Sequence, residues 1–280
     1  MKAPTAVELA ELNSVAAEEI SYEEKKQRAE RSLPVKLYPA VFGMGRHLLG
    51  CALFSVTKSS KGRVVSYRDN GEKVIERREI NVTLPSFRGA SIEYKGPELR
   101  QDDATVWLAL VHRTREGLVD ATVEFDPREF AASIGWDAHK KSVDKLAVCI
   151  ERMQSALVRL TINETSGLRA ALVGAFDWSP ERWSVRLDPR IVGLFEGGTT
   201  FLPRAERAQL TDGLQTWLAS FLRAQSDENI FELADLAKFS GSEAVLKTFG
   251  EQVRETLPKL VAAGVVKGFS FGRGKLRVER

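Results

Sequence analysis

Val143, Leu146, Ile150, Met153, Leu157 and Leu160 recur at spacings of 3, 4, 3, 4 and 3. Apolar residues spaced this way line one face of a helix, which must bury that face and leave the other in solvent. The stripe predicts a helix over Ala138–Leu160, and the flanking segments must build a core around it. Before it lie a helix over Glu98–Arg115, with Leu99, Val106, Trp107, Leu110 and Val111 on one face, an alternating strand over Ala121–Phe125 and a short helix from Pro127 to Gly135. Proline's fixed φ suits the first turn of that short helix. Trp136-Asp137 makes a turn, and strands follow at Arg159–Asn163, Leu168–Phe176 and Trp183–Leu187. Helix, strand, helix, turn, helix, hairpin is the order of a winged helix.

The same order recurs. A helix over Pro203–Arg223 carries Leu210, Leu214, Trp217, Leu218, Phe221 and Leu222, and Ile230-Phe231 follows as a stub of strand. Leu233–Phe239 is a helix, Ser240-Gly241-Ser242 a turn with Ser242 as an N-cap, and Glu243–Ala263 a second helix. That helix faces Val245, Leu246, Phe249, Val253, Leu260 and Val261 inward, and Pro258 should kink it or end it early. Val265–Phe271 and Lys275–Val278 then flank Gly272-Arg273-Gly274 as a hairpin. A length of 280 residues allows two such cores. The expected fold is α+β: an N-terminal helical or extended segment (1–35), a first winged-helix domain with its own N-terminal hairpin around Asn70-Gly71 (36–197), and a second winged-helix domain (198–280). The apolar run Leu48–Val56 should pack on the first domain.

Charge distribution narrows the partner. The net charge is only +3, but residues 1–35 carry seven Glu against five Lys and Arg, and the last sixteen residues carry a net +4. The stripe of the first long helix leaves His139, Lys140, Lys141, Ser142 and Lys145 at or near its exposed start and Arg152 further along. In the second copy Ser242, Lys247 and Arg254 project similarly, while Arg273, Lys275 and Arg277 load the wing. In a helix-turn-helix the second helix enters the major groove and flanking loops contact phosphates. These twelve residues are therefore the candidate contacts to double-stranded DNA.

Enzyme signatures do not assemble. There is no GxxxxGK[ST], and His47, His112 and His139 are isolated, with no HxH, HxxxH or CxxC for a metal. Tyr22, Tyr38, Tyr67 and Tyr94 then lack an evident partner as nucleophiles. Asp102-Asp103 lies near a helix start, where carboxylates stabilise the helix dipole. Cys51 and Cys149, each among apolar residues, read as buried reduced thiols. No catalytic residue, metal or cofactor is expected. Glu8 and Glu11 fall where a signal peptide needs its apolar stretch, and no run is long enough to span a bilayer, so the expectation is a cytoplasmic protein with no membrane contact.

The segment Ile92–Trp107 resembles the I-x-Y-x-G-x-E-L-R-x-D-D signature, followed by V-W, of the TrfA-type replication initiators of broad-host-range bacterial plasmids. Ala52-Leu53-Phe54, Gly135-Trp136, Leu187-Asp188, Ile191-Val192, Leu194-Phe195, Glu251-Gln252-Val253 and Gly264-Val265-Val266 continue the likeness in family order from about Leu48 to the C-terminus. The resemblance implies a plasmid DNA replication initiator that binds origin repeats (iterons), helps melt adjacent AT-rich DNA, and recruits the host initiator DnaA, replicative helicase and sliding clamp. It also implies monomer–dimer self-association, which controls copy number. The chain departs from the family's Q-L-S-L-F clamp motif, since Leu33–Phe42 contains no glutamine. A winged-helix transcriptional repressor and a DNA-nicking enzyme are the alternative readings.

Overall fold

The computed structural model describes residues 40–57, 64–69, 72–77, 79–85, 91–114, 122–163, 166–195 and 198–280; the N-terminal segment 1–35, Leu37-Tyr38 and the Asn70-Gly71 turn lie outside them. Strand β1 (Val41–Gly45) leads through the one-turn helix α1 (Arg46–Leu49) into a loop whose Cys51, Leu53 and Phe54 are buried. β2 (Val64–Asp69) and β3 (Glu72–Arg77) pair as the expected hairpin, with Asp69 opposite Glu72. β4 (Glu79–Pro85) and β5 (Ser91–Pro97) begin a second sheet. The first winged helix then follows: α2 (Gln101–Arg113), β6 (Thr122–Phe125), α3 (Pro127–Ser133) and α4 (Lys140–Gln154). Asp126 caps α3 by accepting from the N–H groups of Arg128 and Glu129, with Pro127 in the first turn as the sequence predicts.

The stripe on α4 is real only as far as Met153. The helix ends at Gln154, and Leu157 and Leu160 belong to β7 (Leu157–Asn163), which pairs between β5 and β8 (Ser166–Ala171). Here burial alternates: Ala156, Val158 and Leu160 are buried and Arg159 exposed, the period of a strand. The expected strand over Leu168–Phe176 is two, β8 and β9 (Val173–Trp178), because the chain changes sheets at buried Leu172. β9 pairs with β10 (Trp183–Leu187), which also pairs with β6; this three-stranded sheet is the first wing.

β11 (Thr199–Pro203) returns to pair with β1, so this strand, which the sequence placed in the second domain, closes the first unit's small sheet. The expected long helix over Pro203–Arg223 is broken into α5 (Arg204–Ala208) and α6 (Leu214–Ala224) by Thr211-Asp212-Gly213, where Gly213 has φ 127°. β12 (Ile230–Glu232), α7 (Leu233–Ser240), α8 (Leu246–Ala262), β13 (Gly268–Gly272) and β14 (Lys275–Glu279) complete the second winged helix, with strand order β12-β14-β13. α8 starts three residues later than the sequence predicts: the Ser242 hydroxyl accepts from Ala244 N–H instead of capping the helix, and Val245 is the N-cap. The helix continues through exposed Pro258 to Ala262, held there by buried Leu257 and Leu260.

Each unit has its own core. Trp107, Phe130, Leu146, Ile150, Met153 and Phe195 centre the first, and Phe221, Leu236, Phe249, Val253, Leu257 and Leu276 the second. The joint between them is hydrogen-bonded. Val56 N–H donates to Ser240 C=O at 3.0 Å, the Thr57 hydroxyl to Gly241 C=O at 3.1 Å, and the Thr216 hydroxyl to Gln101 Oε1 at 3.1 Å. Gly241 is in the left-handed region (φ 67°), and a Cβ there would lie 2.9 Å from Ser55 Cβ, so only glycine permits this approach. Among the described residues, no helix is long and apolar enough to cross a membrane.

Asp188, at the end of β10, bridges the sheet change. Its carboxylate accepts from the backbone N–H groups of Ala171 at 3.2 Å and Arg190 at 3.0 Å, and from Arg190 Nε at 2.9 Å and Nη2 at 2.6 Å. Burial pushes this carboxyl up, but the Arg190 guanidinium and the two backbone N–H groups outweigh burial and hold it below the usual carboxylate range. A lowered folded-state pKa contributes stability above the unfolded value of about 4, which is lost as pH falls through the folded value. The stability difference between wild type and Asp188→Asn should therefore be full at about pH 6 and shrink toward about pH 2 in urea titrations. A difference independent of pH would show that the charge of Asp188 is not what holds the switch.

Candidate nucleic-acid interface

In the first unit, α3, the Gly135-Trp136 turn and α4 form the helix-turn-helix. Gly135 takes φ 81° at the turn, and the chain reaches the N-cap residue His139 in extended conformation, with no side chain capping α4. His139, Lys140 and Lys141 are exposed and Ser142 half-buried, so the start of this helix presents the predicted polar end to solvent. Lys145 turns away from it. Its ammonium lies 3.9 Å from the Trp136 ring centroid and 3.8 Å from Asp102 Oδ2, at the edge of a cleft of about 600 Å³ shared with Arg204 and Asp212.

Arg152, expected on the exposed face, is buried. Its Nε donates to Asp103 Oδ1 at 2.9 Å, its Nη2 contacts the same oxygen, and Asp102 lies 3.7 Å away. The physical reason is a second stripe on α4, Lys145, Cys149 and Arg152, that faces the acidic start of α2. Asp103 is wholly buried, and its other oxygen accepts from Arg100 N–H at 2.8 Å. The acid pair read as a helix-dipole feature is thus the counter-charge of α4. Asp102, Asp103 and Cys149 bring three potential ligand atoms within 4.8 Å of one another. The donor set does not suit a metal, because the guanidinium occupies the carboxylates and burial, with the carboxylates beside it, raises the Cys149 thiol well above its ordinary pKa, keeping it protonated. Cys51 is likewise a buried thiol, pushed up to about 12 by burial.

In the second unit Lys247 is exposed on the first turn of α8, while Ser242 and Glu243 line a hollow of about 480 Å³ beside Val56, Thr57 and Gln252 at the joint. Arg254, one face with Lys247, lays its guanidinium 4.8 Å from the Phe271 ring centroid of β13, which ties the helix to the wing. Arg273 sits at the wing tip with φ 49° beside Gly274 at φ 78°, a two-residue turn with positive φ at both positions. Lys275 and Arg277 share the outward face of β14; Lys275 pairs with Glu232 at 2.7 Å, and Arg277 lies opposite Ile230.

Three exposed features are absent from the sequence-derived set. Lys238 on α7 is exposed beside the helix-turn-helix. Trp178, 73% exposed, stands at the end of the first wing, in the company of Asp177, Glu181 and Arg182, the last paired with Glu124 at 2.9 Å. Val245 and Leu246, expected to face inward, are 72% and 50% exposed at the head of α8. Apart from Arg152 and Lys238, the outward pattern of the charges was readable; the exposed apolar residues carry no sequence signal that separates them from core.

No family model matches the chain, and no curated protein does. Solved structures do share its fold, two of RctB among them. A selenomethionine derivative of domains 2 and 3 of RctB superposes with a TM-score of 0.54 at 12% identity, covering 84% of this chain and 98% of that one. A second structure of RctB domains 2-3 gives 0.51 at 12% identity, covering 81% and 95%. The likeness extends over both winged helices and is one of fold.

The position of Arg152 generates a test. Removing one member of a buried ion pair leaves an uncompensated charge, so Arg152→Ala should cost about 3–5 kcal/mol in urea unfolding. A loss under about 1 kcal/mol, the range of exposed pairs, would place the guanidinium in solvent after all.

Proposed function

We propose that this chain is a sequence-specific duplex-DNA-binding protein that initiates replication. The observation that carries the reading is the repetition of one device: two winged helices in tandem, each presenting a basic residue on the first turn of its second helix, in a fold shared with domains of the replication initiator RctB. In this reading Lys140 and Lys141 in the first unit and Lys247 in the second enter the groove, with Lys238 on the first helix of the second helix-turn-helix and Arg273 on its wing beside them. Phosphate contacts set position and affinity, and base edges set sequence.

The finer assignment follows the TrfA-type resemblance: a plasmid initiator that binds iterons, favours opening of neighbouring AT-rich DNA, and engages the host initiator DnaA and the replicative helicase, with monomer–dimer exchange limiting copy number; the family's sliding-clamp contact is left out of it, because Leu33–Phe42 does not match the clamp motif. In this reading the protein acts in the cytoplasm and makes or breaks no covalent bond. Free energy of assembly on the repeats offsets part of the cost of deforming and opening the duplex. Footprinting on the replicon that encodes the chain tests it: repeats protected at an origin are expected. A single protected operator would make it a repressor, and a covalent protein–DNA adduct a nicking enzyme.

Two sets of substitutions separate position from sequence. Lys140→Ala with Lys141→Ala should weaken binding and reduce the slope of log K against log salt by roughly 0.9 for each phosphate no longer neutralised; an unchanged slope in the folded variant would move the interface elsewhere. Combined Ala substitutions at Arg273, Lys275 and Arg277 should lower affinity for repeat and scrambled duplex alike, whereas Lys247→Ala should change preference among sequences. Lys275 should contribute least of the three, because Glu232 already neutralises it. Weakening confined to the repeat in the triple variant would assign base reading to the wing.

A further inference from the structure

Val245 and Leu246 break local rules without a folding return. Valine is among the poorest N-caps, and here no side chain caps the helix it precedes. Both residues stand in solvent, at 72% and 50% exposure, although the buried face of this helix begins at Phe249, one turn further on. Among the residues whose burial is described, the only large apolar side chain as exposed as Val245 is Trp178, and no other two adjacent ones are so exposed. Positions where a sequence departs from its own local logic are where function is to be sought.

The surroundings say what these side chains fit. They form the tip of the helix that, on the function proposed above, enters the major groove. Lys247 follows in the same turn, Lys238 is exposed on the preceding helix, and Arg254 and Arg273 stand on the wing side, while Asp235, Glu243, Glu251 and Glu255 are exposed acids on the two helices and their turn. An apolar tip with a cation in its own turn is complementary to a groove whose walls are phosphates. The one apolar group on its floor is the C5-methyl of thymine, which also distinguishes A·T from G·C pairs there.

We infer that Val245 and Leu246 read thymine methyl groups, so that the half-site bound by the second unit carries A·T pairs beneath the head of α8. The inference rests on the duplex-binding reading and deepens it. Deoxyuridine isolates the contact, since uracil keeps every hydrogen-bonding group of thymine and lacks only the methyl.

The experiment uses the full chain. Duplexes are selected from a random pool, and each thymine of the selected site is replaced singly by deoxyuridine. At one or two positions wild-type affinity should fall about fourfold, the burial free energy of one methyl group. Val245→Ala with Leu246→Ala should bind the thymine duplex more weakly and no longer distinguish it from the uracil duplex. Because both residues are exposed, the variant should keep its fold, which circular dichroism and an unchanged salt slope verify. Wild-type binding indifferent to uracil at every position overturns the inference while leaving duplex recognition intact, as does a double variant that keeps the full uracil effect. Failure to select any duplex would instead remove the proposed function, and this inference with it.

Discussion

The carboxylate of Asp103 is the point from which the first unit is organised. It is wholly buried, so it must be compensated, and it is compensated from two directions: the Arg152 guanidinium of α4 and the backbone N–H of Arg100 at the start of α2. The orientation of α4 against α2 therefore hangs on one charge. Arg100 extends the network, pairing with Glu98 at 2.8 Å, and Glu98 accepts from the Ser55 hydroxyl at 3.0 Å, beside the joint with the second unit. Burying ions is costly, and apolar replacements can be as stable, so the return is a defined geometry.

This places the Ile92–Trp107 motif in a different light. Ile92, Tyr94, Leu99, Val106 and Trp107 are buried core; Tyr94 donates to Pro97 C=O; Gly96, at φ 146°, leaves no room for a Cβ, which would lie 2.7 Å from Ser155 C=O; and Glu98, Arg100 and Asp103 form the network just described. Every part of it builds the joint between β5, α2 and α4. A motif of this sort marks a shared architecture, and the residues facing outward from α4 and α8 are free to differ. Fold likeness to the RctB domains at 12% identity fits the same division.

Periodicity made both long helices legible and misjudged one end of each. At α4 the 3–4 spacing runs on through Leu157 and Leu160, but those belong to a strand whose own signal, buried Val158 between them, was outweighed. At α8 the spacing from Phe249 and Val253 extends backwards to Val245 and Leu246, the N-cap and first residue of the helix, where the side chains point to solvent instead of the core. Apolar spacing cannot report where hydrogen bonding stops. The wing turn was readable because Gly272-Arg273-Gly274 has few other uses, and the start of α4 because four cationic or polar residues, His139 to Ser142, precede the stripe. Arg152 was not, because its partner lies 49 positions away and only the packed helices bring the two together.

The hydrogen-bonded joint at Ser55–Thr57, Gln101 and Gly241 has a geometric corollary. On the proposed function, two reading heads fixed in mutual angle would both face a groove only at certain separations along the duplex, since about 10.5 base pairs restore the same face. Such a molecule would measure helical phase as well as sequence. Where the spacing of its targets departs from that phase, a rigid protein leaves the double helix to absorb the difference in twist, at steps that yield most easily.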